Sequence, residues 1–89
     1  MSDDKQTTWF VYFVRCKDNS LYCGVTTDIE RREAEHNQTS KGAKYTRVRR
    51  PVSMVYQKRC SNRSEACKEE VRLKKLSKAH KEALVSASP

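Results

Sequence analysis

From Trp9 the chain reads Trp-Phe-Val-Tyr-Phe-Val, breaks at Lys17-Asp18-Asn19-Ser20, and resumes as Leu-Tyr-Cys-Gly-Val-Thr to Thr26. Two runs rich in aromatic and β-branched residues around a polar Asp-Asn-Ser break predict a β-hairpin. Asn tolerates the left-handed backbone, so Lys17-Asp18-Asn19 predicts a three-residue loop, a type I turn closed by Asn19. In that register Cys16 faces Ser20, Val14 faces Tyr22 and Tyr12 faces Gly24. Alternation along each strand then places Tyr12 and Tyr22 on one face and Val11, Phe13, Leu21, Cys23 and Val25 on the other. A two- or four-residue loop would split the tyrosines between faces, so the face assignment rests on the turn.

Thr27-Asp28-Ile29-Glu30 predicts a helix start, with Thr27 as cap and Glu30 closing a capping box. Ile29, Arg32, Glu33 and His36 share one side of that helix, which makes Arg32 and His36 neighbours. Asn37 to Arg50 has no sustained apolar period and reads as a basic loop, with room for a short helical turn around Ala43 to Thr46. After Pro51, Val52 to Tyr56 predicts a third strand with Val52, Met54 and Tyr56 on one face. A second helix is capped by Ser64 or Asn62 and runs to about Leu76. Its inward stripe is Ala66, Glu70, Leu73 and Leu76 or Ser77, with Cys67 and Val71 alongside. Ser77 caps a last helix from Lys78 to about Val85, where Ala79, Ala83 and Leu84 pack. Residues 1–8 and 86–89 read as tails around a single domain at 9–85.

Eighty-nine residues suit one small domain. A formal net charge of +8 points to a polyanionic partner, with nucleic acid ahead of an acidic membrane surface and a merely soluble surface as the plain alternative. The longest apolar run, Trp9 to Val14, is far short of the ~20 residues a membrane helix needs. Met1-Ser2-Asp3-Asp4-Lys5 lacks the apolar segment of a signal peptide. A cytoplasmic protein without a membrane partner is therefore expected, and a monomer. Cys16, Cys23, Cys60 and Cys67 fit neither a CxxC pattern nor a common zinc spacing, and read as reduced, partly buried residues. Glu70 is the odd member of its stripe, because a carboxylate on an apolar face needs a cation, a metal or hydrogen bonds.

Val11-Tyr12-Phe13, then Leu21-Tyr22-Cys23-Gly24, then Arg32 with His36, then Glu65-Ala66 leading to Glu70 and Leu73-Lys74-Lys75, together resemble the GIY-YIG nuclease domain over about Phe10 to Leu76. The pattern looks most like the small stand-alone bacterial members, of which Gly42-Ala43-Lys44-Tyr45-Thr46-Arg47 followed by Arg50-Pro51-Val52 also looks typical. The resemblance implies an α+β fold, a three-stranded antiparallel sheet flanked by helices. It also implies an endonuclease hydrolysing phosphodiester bonds in nucleic acid, DNA first, with one Mg²⁺ or Mn²⁺ ion.

By the same resemblance Glu70 holds the metal, and one of Tyr12 and Tyr22 positions or deprotonates the attacking water. Arg32 stabilises charge on the phosphate, His36 relays a proton or binds phosphate, and Gly24 lets backbone approach the substrate closely. Lys41, Lys44, Tyr45, Arg47, Arg49 and Arg50 form the expected nucleic-acid contact. The first-motif glycine is Val11 here, a lysine of some members is Val25, and the late asparagine of repair-enzyme versions has no match after Leu76. The rival reading is a binding module with little or no catalysis. Each residue also has a plain role: cross-strand packing for the tyrosines, a solvated face for Arg32 and His36, a Lys74 pair for Glu70, and a loop anchor for Tyr45.

Overall fold

The computed structural model describes residues 8–87. Strands β1 (Trp9–Arg15) and β2 (Leu21–Thr26) lead into helix α1 (Ile29–Gln38) and a single helical turn α2 (Lys44–Arg47). Strand β3 (Ser53–Cys60) and helices α3 (Arg63–Lys74) and α4 (Lys78–Ala87) follow. The strands form one antiparallel sheet in the order β2-β1-β3, the α+β arrangement expected. The last helix, expected to end near Val85, runs on to Ala87. The rest of the expected tails, residues 1–7 and 88–89, lies outside the described residues. No helix among the described residues is long and apolar enough to cross a membrane.

The hairpin turn sets the geometry of everything above it. Asn19 adopts φ 71°, its N–H donates to Cys16 O at 2.8 Å, and Cys16 N–H donates to Ser20 O at 2.8 Å. Tyr12 therefore pairs with Gly24 and Val14 with Tyr22, the register predicted from the three-residue loop. One face of the sheet carries Val11, Phe13 and Cys23, packed with Cys60 and with Ala66 and Leu73 of α3. The other carries Tyr12, Val14, Cys16 and Val52, with Tyr22, Ile29 and Met54 against them. All four thiols are unpaired.

Local expectations are corrected at α1 and β3, and at α3 one of the two expected caps is found. The cap of α1 is Asp28, whose carboxylate accepts from Arg31 N–H at 3.0 Å; Thr27 is not the cap because the helix begins one residue later. Asn62, one of the two candidates, caps α3 by accepting from Glu65 N–H. On β3, Phe13 pairs with Tyr56 and Val14 with Met54, so Val55 is an extra residue and the strand bulges. An inserted residue breaks the period-two alternation. Val52 and Met54 consequently pack on the Tyr12 face, whereas Tyr56 lies against Phe13 on the opposite one. The strand itself continues to Cys60.

Helix α1 is fastened across the Tyr12 face by its polar side chains. The Asn37 carboxamide donates to Val52 O at 2.9 Å and accepts from Val52 N–H at 2.7 Å. Glu33 accepts from Met54 N–H at 2.7 Å. These bonds satisfy backbone groups at the entry to β3 and fix which side of α1 faces the sheet. At the far end, Arg15 and Glu82 form a two-pronged ion pair that ties α4 to β1.

Candidate active site

The register of the hairpin and the pitch of α1 bring three predicted residues onto one atom. Arg32 Nε–H donates to Tyr12 Oη at 3.3 Å, and His36 Nε2 lies 2.8 Å from the same oxygen. Tyr22, two residues along the tyrosine face, meets the His36 ring edge-on at 5.6 Å. The i, i+4 spacing of Arg32 and His36 is what places both over β1.

Burial sets the protonation of this cluster. Tyr12 is 1% exposed, and desolvation pushes its phenol up to about 12, with Arg32 pulling the other way. His36 is fully buried; desolvation, reinforced by the Arg32 charge, pulls its imidazole down to about 4. At neutral pH both are uncharged, and Arg32 is the one full charge on the Tyr12 oxygen. Arg32 also donates through Nη1 to Glu35 at 2.9 Å and to Lys41 O at 3.0 Å. That grip aims the guanidinium and leaves Nη2 without a partner among the described residues.

Gly24 lies directly opposite Tyr12. A Cβ there would be 2.5 Å from Tyr12 Oη, so the space that the missing side chain frees is filled by the phenol rather than by an approaching substrate.

Glu70 stands apart from this cluster. It lies on α3, which covers the other face of the sheet, with its side chain 21% exposed and its carboxylate 3.1 Å from Lys74 Nζ. No hydrogen bond joins it to Tyr12, Tyr22, Arg32 or His36 among the described residues. It is nonetheless beside β2: burial first, and the Glu70 charge second, hold the thiol of Cys23, the neighbour of Tyr22, at about 12. No set of three or more His, Cys, Asp or Glu side chains among the described residues is placed to hold a metal.

The basic loop divides into two kinds of residue. Arg50 is structural: its guanidinium donates to His36 O and Thr39 O, capping the end of α1. Arg49 pairs with Asp18 at 3.0 Å and lies 3.8 Å over the Tyr45 ring. Tyr45 in turn stacks on Tyr22 at 5.7 Å, so it extends the tyrosine face outward. Lys41, Lys44 and Arg47 are exposed and make no ion pair among the described residues.

Sequence reasoning missed Thr46 and Gly42. Thr46 is fully buried, with Oγ1 2.9 Å from His36 Nδ1; it sits ten positions from His36 in a loop with no period to betray it. Gly42 is legible only afterwards, since a Cβ there would fall 2.8 Å from His36 Cα. Glu35, three residues after Arg32, could have been found from helical spacing.

Comparison with known proteins addresses the whole arrangement. The sequence matches the profile of the GIY-YIG catalytic domain across residues 8–83. This chain belongs to the GIY-YIG family. Among relatives, it is 56% identical to a UPF0213 protein of Desulfotalea psychrophila, covering 90% of this chain and 73% of that one. A UPF0213 protein of Staphylococcus haemolyticus is 54% identical over 81% of this chain and 87% of its own. The solution NMR structure of a UPF0213 protein from Bacillus halodurans is similar with a TM-score of 0.57 at 44% identity, over 90% of this chain and 84% of that one. A structure from E. faecalis gives 0.57 at 41%, over 89% and 84%. The small stand-alone bacterial branch suggested by the motifs is thus the branch found, and GIY-YIG membership places the chain in a nuclease superfamily.

Proposed function

We propose that this protein is an endonuclease that hydrolyses phosphodiester bonds in DNA with one divalent metal ion. The observation that carries the reading is the convergence of Arg32 Nε and His36 Nε2 on Tyr12 Oη. A phenol oxygen has one proton and two lone pairs. Arg32 takes one lone pair and His36 stands where the proton points, which leaves the second lone pair for an attacking water. Such an oxygen takes a proton from water only as its own leaves for the imidazole, and the neutral His36 has a lone pair to receive it, as a weak base with its imidazole held near 4. The Arg32 guanidinium stabilises negative charge on Tyr12 during that transfer, and its free Nη2 meets charge developing on the phosphate. Tyr22 and Tyr45 line the approach as a stacked pair, with Arg49 over the Tyr45 ring as a cation for phosphate.

The fit of a metal is judged on the donor. A lone, partly exposed carboxylate suits a hard ion that keeps most of its water, Mg²⁺ or Mn²⁺, and offers nothing to a softer one. Glu70 would hold it, exchanging the Lys74 ammonium for the ion. Bound there, such an ion would supply positive charge to a phosphate within its reach.

The reading is tested by incubating the protein with supercoiled, branched and single-stranded DNA and with RNA, in Mg²⁺ or Mn²⁺, beside Glu70→Gln and Arg32→Ala. Cleavage by the wild type that falls roughly 10²-fold or more in each variant is expected. The second reading, a binding module, is favoured by the Glu70–Lys74 pair. Equal inertness of all three proteins with steeply salt-dependent binding would establish it instead.

A further inference from the structure

The hydroxyl of Thr46 has one proton and two close neighbours, Ala43 O at 2.8 Å and His36 Nδ1 at 2.9 Å. We propose that Thr46 is a positioning residue that holds His36 in its Nδ1–H tautomer, so that Nε2 faces Tyr12 as a proton acceptor. The inference rests on the nuclease reading for its effect on turnover, but not for the tautomer itself.

Two arrangements of protons are open to the cluster. In the first, Thr46 donates to Ala43 O and accepts Nδ1–H. His36 Nε2 then accepts the Tyr12 proton, and Tyr12 Oη accepts Arg32 Nε–H. Every donor in that chain has an acceptor. In the second, Thr46 donates to Nδ1, and Nε2–H points at Tyr12 Oη. Tyr12 then faces two N–H donors, and its own proton, on a residue 1% exposed, has no acceptor in the protein and must compete for the attacking water. A buried donor without a partner is costly, and this decides between the two.

The Ala43 N–H, 3.4 Å from Nδ1, is the one contact the first arrangement gives up. It is long, and Ala43 is only half-buried, so that group can turn to water. Gly42 makes the approach possible, because a Cβ at that position would lie 2.8 Å from Glu35 O. The chain passes close enough to α1 to deliver Thr46 to the ring only without one.

The tautomer gives the relay its direction. As water attacks, its oxygen bonds to phosphorus while the P–O bond to the leaving sugar oxygen breaks, that oxygen taking a proton from solvent; one water O–H bond breaks and its proton joins Tyr12 Oη. The Tyr12 O–H bond breaks in turn and its proton joins Nε2. Tyr12 ends as a neutral phenol, and His36 as an imidazolium whose Nδ1–H stays on Thr46 Oγ1. The Nε2–H tautomer has no lone pair facing Tyr12 and stops the sequence at its first step.

The experiment is a long-range ¹H–¹⁵N correlation of the imidazole at neutral pH. It is recorded in a His80→Gln background, which removes the exposed second histidine and leaves one ring to observe. A pyrrole-like Nδ1 and a pyridine-like Nε2 are expected there and in Thr46→Ser. In Thr46→Val the population should move to Nε2–H, with turnover on a cleaved DNA lowered about 10- to 100-fold and restored within a few-fold by serine. An Nε2–H ring in the background protein overturns the proposal, and is readable even where the valine variant does not fold. A folded Thr46→Val with an unchanged tautomer overturns it as well. A tautomer that switches in a protein that cleaves nothing supports the assignment and counts against the nuclease reading alone.

Discussion

A methyl group at Gly24 would meet Tyr12 Oη at 2.5 Å and Cζ at 2.7 Å, and the ring is pinned by Arg32, His36 and the core around it. Gly24→Ala should therefore cost about 1–3 kcal/mol, as overpacked sites do, read as a lower urea midpoint at unchanged m-value. Any cleavage activity should be lost with it, because the phenol leaves its partners. The same atoms set a pH dependence. His36 titrates near 4 when folded against 6.5 in the unfolded chain, so between those values the unfolded state binds a proton that the native state refuses. Stability is complete above about pH 6.5 and falls as the pH drops towards 4, by at most about 3 kcal/mol. Tyr12 acts at the other end: with its phenol raised from 10 to about 12, the unfolded chain ionises first and stability falls above pH 10. Urea midpoints across pH 4–7 should flatten in His36→Gln, and a slope that persists unchanged would place the titration elsewhere.

At the scale of elements, the question is which loop residues build the site and which are free to meet a ligand. Arg50 is tied to carbonyls at the end of α1, and Asn37 holds both backbone groups of Val52. Between these two anchors the chain from 38 to 50 is closed into a fixed loop that carries Thr46 back to His36. Arg50→Ala should lower the unfolding midpoint by the equivalent of about 1–3 kcal/mol, the cost of leaving helix-end carbonyls unpaired. Differential scanning or urea titration reads it. The hairpin was legible in the sequence because its turn chemistry and strand alternation agree, and Arg32 with His36 because helical spacing is fixed. The β3 bulge was not, since nothing in Val52 to Tyr56 marks Val55 as the extra residue; the insertion is set by pairing with β1. Thr46 was hidden for a related reason. Its role is defined by a partner ten residues away, across a loop whose path depends on Gly42 and Arg50 rather than on any local pattern.

Over the whole molecule, most carboxylates among the described residues are engaged within the protein and many cations are not. Asp18, Glu35, Glu69, Glu70 and Glu82 are all in ion pairs, while Asp28, Glu33 and Glu65 accept backbone N–H groups. A chain of formal charge +8 consequently shows its excess as unpaired lysine and arginine, including Lys41, Lys44 and Arg47 beside the Tyr22–Tyr45 stack. Cations placed this way bind a phosphate backbone by releasing its counterions, with a logarithmic salt slope of about 0.9 per phosphate neutralised on duplex DNA. Replacing Lys41, Lys44 and Arg47 together by alanine should reduce that slope by up to about 3 and weaken binding at low salt. The urea midpoint should stay within ~0.5 kcal/mol of wild type, since these side chains are exposed. Arg50→Ala should do the reverse, lowering stability while leaving the slope near its original value. Fluorescence anisotropy on one labelled duplex over a range of salt separates the two. A triple variant with the wild-type slope would mean that the polyanion lies along another face, and that the tyrosine stack and the loop cations do not form one surface.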